Sequence, residues 1–124
     1  MPEAERPRSP ADPLAEERAR EMFCNDLDAA QTRFVLEQLC PESVGVMNEP
    51  ARTAGLRRPV PRCYVKLLRD QALSPALQDA SIRNTGPGCA VHELDAGHNA
   101  MISRPSELAA ILNRVARRES PARS

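Results

Sequence analysis

The sequence predicts an α/β fold in which parallel strands are flanked by helices. Three observations carry that expectation. Residues 63–68 (CYVKLL) and 89–94 (CAVHEL) are short, mostly apolar runs rich in strand-forming residues. Between them lies a helical stretch opened by Ser74-Pro75 and ended by Gly86-Pro87-Gly88. After the second run, Pro105 opens a helix in which Leu108, Ile111, Leu112 and Val115 keep the i, i+3, i+4, i+7 spacing of one apolar face. A strand–helix–strand unit of this length implies parallel strands joined by a right-handed crossover.

The elements before this unit are helical. Residues 1–13 hold four prolines among charges and read as a disordered leader. Asp12 is placed to cap a helix and Pro13 suits its first turn; Leu14, Ala19, Met22 and Phe23 form its apolar stripe. A second helix is expected from Asp28, with Gln31 three residues on as in a capping box. Leu36, Leu39 and Cys40 line one of its faces, and Pro41 stops it for want of an amide to donate. Residues 41–61 are irregular, and the arginine-rich stretch 52–62 reads as a solvated linker. The ending RRESPARS reads as a frayed tail. The expected organisation is therefore a leader (1–13), a helical segment (14–58), an α/β unit (59–117) and a tail (118–124).

Bulk composition narrows the function classes. Lys plus Arg and Asp plus Glu are each 17, so the net charge is zero and nothing favours nucleic acid or an anionic membrane. The three aromatic residues, Phe23, Phe34 and Tyr64, are too few for a base-stacking surface. The hydrophobic fraction of 41% is enough for a core, yet no run reaches the length of a membrane span. The N-terminus lacks the apolar region of a secretory signal, so a soluble, cytoplasmic chain is expected. Cys24, Cys40, Cys63 and Cys89 include no C-x-x-C pair, so they are expected as reduced, mostly buried thiols, with no metal site and no cofactor.

Two residues stand out by position. In parallel sheets chemistry collects at the carboxyl ends of the strands. Asp70 lies just past the first strand and His98 just past the second, so both are expected at one rim of the sheet. Such a carboxylate can hold the tautomer of an imidazole base, which in turn activates a hydroxyl nucleophile. The plainer readings are a carboxylate near a helix N-terminus for Asp70 and an exposed loop histidine for His98. Asp95 competes as a partner for His98, although a strand-end Asp more often caps a turn. His92 reads as a surface residue in mid-strand, and Cys63 and Tyr64 as core.

With these residues in view, "YVKLLRDQALSPALQ" followed by "VHELDAGHNAMISRPSELAAIL" resembles the last two strands of an α/β-hydrolase. The likeness is to the branch of plant hydroxynitrile lyases, salicylate-type methyl esterases and bacterial esterases. "REMFCND" and "DAAQTRFVLEQLCPES" are similar to the cap segment of that branch, so the resemblance covers roughly residues 14–117. It implies a partial α/β-hydrolase fold with a helical cap segment. It also implies Asp70 as triad acid, His98 as triad base and a small carboxylic ester as substrate. The order of acid before base is the one this fold uses. The serines at 9, 43, 74, 81, 103, 106, 120 and 124 lack the G-x-S-x-G setting, and no oxyanion segment is found. The expectation is thus a C-terminal half of such an enzyme, a truncated product or half of a split one. It is active if a complementing chain brings the serine, and otherwise a silent remnant or interaction module prone to self-association. A lyase of this branch usually adds a lysine near the histidine loop; the only lysine here, Lys66, lies within a strand.

Overall fold

The computed structural model describes residues 15–40, 45 and 48–119. The leader, with Asp12, Pro13 and Leu14, lies outside these residues, as do the stop at Pro41 and the last five residues of the tail. In chain order the elements are α1 (Glu16–Phe23), α2 (Ala29–Gln38), a 3₁₀ turn (Ala54–Arg57), β1 (Cys63–Leu67), α3 (Pro75–Asn84), β2 (Ala90–Leu94), α4 (Ala100–Ser103) and α5 (Pro105–Glu119). This is the α/β pattern, with a small parallel sheet.

Local chemistry explains most boundaries. Asp28 starts α2 through a complete capping box: the Gln31 amide donates to Asp28 Oδ1 at 2.8 Å and the Asp28 amide donates to Gln31 Oε1 at 3.1 Å. Ser74 caps α3, with Pro75 in its first turn. Gly86 and Gly88, at φ 93° and 84°, turn the chain from α3 into β2 in a region closed to most side chains. The last helix runs through Glu119, two residues past the expected boundary. The four-residue α4 was not foreseen; it lies between a loop and a proline, where a short run gives no periodic signal.

β1 and β2 pair in parallel, with Cys63 opposite Ala90 and Leu67 opposite Leu94. The pairing continues past both strands: Leu68 donates to the Leu94 carbonyl and Arg69 to the Ala96 carbonyl, each at 3.0 Å. α5 covers one face of this ribbon. Leu94, Ala96, Ala100 and Ile111 are buried together, with Val65, Leu67, Leu108 and Val115 packed around them. A fully buried Leu, Ile or Val side chain contributes about 1.5–3 kcal/mol, and a buried alanine methyl less. A separate contact joins α1 to α2, where Ala19, Cys24, Thr32 and Val35 are buried.

Several expected core positions are open to solvent. Leu39, Leu112 and Cys40 are exposed, and of the four cysteines only Cys24 is buried. Among the described residues, two strands and four longer helices leave too little surface to cover every apolar stripe. The arginine linker is also less free than expected. Arg62 is half-buried and donates to the carbonyls of Gly55, Arg58 and Thr85, tying the 3₁₀ turn to the end of α3. Among the described residues no helix is long and apolar enough to cross a membrane.

The outer edge of β1 is closed at its carboxyl end by a side chain. Gln78 of α3, 1% exposed, accepts from the Leu67 amide at 2.7 Å and donates to the Leu67 carbonyl at 2.8 Å and the Leu73 carbonyl at 2.9 Å. It supplies what a neighbouring strand would supply. Gln78→Met fills the volume but leaves three backbone groups without partners. It should cost about 2–4 kcal/mol, read from denaturant unfolding.

Among the described residues, three groups hold protons more tightly in the folded chain. Burial pushes the Cys24 thiol up from its ordinary 9.0, against the nearby Arg20 charge. Burial and the charges of Asp70 and Asp79 push Tyr64 up from 10.0. The hydrogen bond to Asp79, a 2.8 Å ion pair, pushes Lys66 up from 10.5. A raised folded value keeps the full contribution below the unfolded value and loses it as pH climbs through the folded one. The melting temperature should therefore decline progressively above 9.0; a flat profile through 10.0 and 10.5 would contradict these environments.

Candidate active site

Because β1 and β2 are adjacent and parallel, the chain leaves both at the same rim. After β1, the turn through Leu68 and Arg69 brings Asp70 inward, and its side chain is 3% exposed. Asp70 Oδ1 accepts from the amides of Ala72 at 2.8 Å and Leu73 at 2.9 Å, which orders the loop before α3. Its other oxygen, Oδ2, faces His98 Nδ1 at 2.9 Å. The two residues named from the sequence thus meet, 28 positions apart in the chain.

The histidine loop is built differently. The Ala96 amide donates back to the Leu94 carbonyl at 2.9 Å, a tight turn that buries Ala96 completely and is followed by a buried Gly97 and a half-buried His98. His98 has a side-chain exposure of 40%. Its Nδ1 is engaged with Asp70, and among the described residues no group bonds Nε2. With an ionised Asp70 as acceptor, the bond selects the tautomer protonated on Nδ1 and leaves the Nε2 lone pair available. The Phe23 ring lies 5.4 Å from the imidazole, tilted by 49°.

Asp95 is exposed and makes no bond to His98. His92 sits opposite Val65 within the sheet, half-buried and away from the rim. Cys63 and Tyr64 are half-buried strand residues, and Lys66 is engaged with Asp79. Of the described serines, Ser74 caps α3, Ser81 lies within it, Ser103 closes α4 and Ser106 begins α5; none follows a strand in a sharp turn into a helix. Among the described residues no group of three or more His, Cys, Asp or Glu is arranged to hold a metal ion.

The sequence reading missed the side chains that hold these loops. Asn25 Nδ2 donates to the Arg69 carbonyl at 2.7 Å, and the Gly97 amide donates to Asp26 Oδ2 at 2.7 Å. Asn99 Nδ2 donates to the Phe23 carbonyl at 2.9 Å. Their partners lie more than forty positions away, so no local pattern announces them.

Comparison with known proteins agrees with the α/β-hydrolase resemblance at a coarse level. No family model matches the chain. Methylesterase 17 of Arabidopsis thaliana is 36% identical over 70 residues, which is 56% of this chain. The aligned part is 25% of that relative, so the chain spans about a quarter of its length. The match supports a relationship to methylesterase-type α/β-hydrolases over this region.

Asp70→Ala should cost about 2–4 kcal/mol in denaturant unfolding, because the half-buried Ala72 and Leu73 amides lose their acceptor. Asp70→Asn, which retains an acceptor for those amides, should recover most of that loss.

Proposed function

We propose that this chain supplies the acid and the base of a serine carboxylesterase acting on small carboxylic esters. The reading rests on one observation: a buried carboxylate, itself held by two amides, binds one nitrogen of an imidazole whose other nitrogen is open. In this reading the helical segment before β1 belongs to a cap and the strand–helix–strand unit to the catalytic rim. The serine and the oxyanion donors come from outside these 124 residues. The partial likeness to a methylesterase supports the ester as substrate class.

The chemistry follows from the two side chains. A serine hydroxyl is a weak nucleophile near neutral pH. His98 Nε2 takes its proton as oxygen attacks the ester carbonyl, and the imidazolium that forms is stabilised by Asp70. The same nitrogen then gives the proton to the departing alcohol. In the second half it takes a proton from water and returns it to serine.

The apolar surface favours a second reading, that of an interaction module without catalysis. Phe34, Val60, Leu77, Met101 and Leu112 are each more than half exposed, and the two strands have no further neighbours among the described residues. Such surfaces mark association sites.

One experiment separates the two. The chain is mixed with the serine-bearing remainder of the plant methylesterase, and p-nitrophenyl acetate hydrolysis is followed. The esterase reading expects activity that falls by roughly 10⁶-fold with His98→Ala, since triad members act as a unit. Hydrolysis indifferent to His98→Ala overturns it. An inert mixture, with the chain sedimenting as a dimer or larger, is the outcome of the second reading.

A further inference from the structure

Asp70 and His98 sit on separate loops, and a hydrogen bond tolerates only a few tenths of an ångström of error in their separation. The turn between α1 and α2 touches both loops, at positions flanking the pair. Asn25 holds the Arg69 carbonyl, one residue before Asp70, at 2.7 Å. Asp26 holds the Gly97 amide, one residue before His98, at 2.7 Å. The Phe23 carbonyl accepts from Asn99, one residue after His98, at 2.9 Å. The turn is itself closed by a bond from the Leu27 amide to the Cys24 carbonyl at 3.1 Å.

Two further features show how closely the turn is seated. A Cβ on Gly97 would stand 2.5 Å from Asn25 Oδ1 and 2.6 Å from Asp26 Oδ1. Both side chains are anchored by the bonds above, so they cannot simply swing aside. Asp26 Oδ1 is buried without a hydrogen-bond partner, a cost that packing alone gives no reason to carry.

We propose that Asn25 and Asp26 are positioning residues that set the spacing of the Asp70 and His98 loops and thereby hold His98 in the tautomer protonated on Nδ1. The inference rests on the acid–base reading of that pair. It extends the site to a segment outside the strand–helix–strand unit: the turn before α2 is a structural part of the rim.

The test is nitrogen NMR of the two imidazoles in the full chain, with His92 as internal reference. Wild type should show His98 protonated on Nδ1. In Asn25→Ala and Asp26→Ala the Nδ1–H form should drop to a minority while His92 is unchanged; Asp26→Asn, which keeps an acceptor, should restore it. Gly97→Ala should act in the same direction by pushing turn and loop apart without deleting a polar group. Folded Asn25→Ala, Asp26→Ala and Gly97→Ala chains that all retain the wild-type tautomer overturn the proposal. If the alanine variants do not fold, wild type itself carries the test: a scalar coupling from the Gly97 nitrogen to the Asp26 carboxylate carbon is expected, and its absence overturns the proposal. A wild-type His98 that is not protonated on Nδ1, or whose tautomer is unmoved by Asp70→Asn, is instead a failure of the acid–base reading.

Discussion

The parallel alignment of β1 with β2 is the constraint on which the site depends. Leu67 opposite Leu94 sets both strand ends at one level, and bonds from Leu68 and Arg69 carry the ladder one step into the loops. Beyond that point the two chains diverge. The first closes into the Asp70 turn and the second into the Ala96 turn, and the side chains meet where the backbones part. A slip of one residue would turn every side chain of one strand to the opposite face. Leu94 would then leave the core it shares with Ile111, so the packing of α5 and the approach of Asp70 to His98 select the same register.

The carboxylate and the imidazole are held with different stiffness. Asp70 is buried and saturated: two amides and a ring nitrogen occupy its oxygens. His98 is half open, gripped on one side by Asp70 and backed by Phe23. A rigid acceptor under a partly exposed donor suits a base that must meet a group arriving from outside, because reorganisation is confined to the side that receives it. Burial of the acid also reaches into the sheet, where the Asp70 charge helps keep the Tyr64 hydroxyl protonated.

Much of this was legible in the sequence because its signals are local. Prolines 75 and 105 sit at helix starts, Asp28 and Gln31 form their capping box, and the two apolar runs become the two strands. Asp70 and His98 were readable because parallel strands force their ends together. What was not legible is non-local or collective. Gln78 acts on a strand eleven residues back, and Asn25 and Asp26 act across more than forty. Burial was read least well: Leu39 and Leu112 keep helical spacing, yet among the described residues both stay largely uncovered.

The seal made by Gln78 has a directional consequence. In a parallel strand alternate residues turn their amide and carbonyl to the same side. Leu68 bonds toward β2, so Leu67, Val65 and Cys63 turn theirs the other way. Gln78 already occupies Leu67. An incoming strand can therefore zip only along the lower part of β1, opposite Val65 and Cys63, and must peel away before the rim. Any polypeptide that extends the sheet there therefore ends its pairing below the level of Leu67.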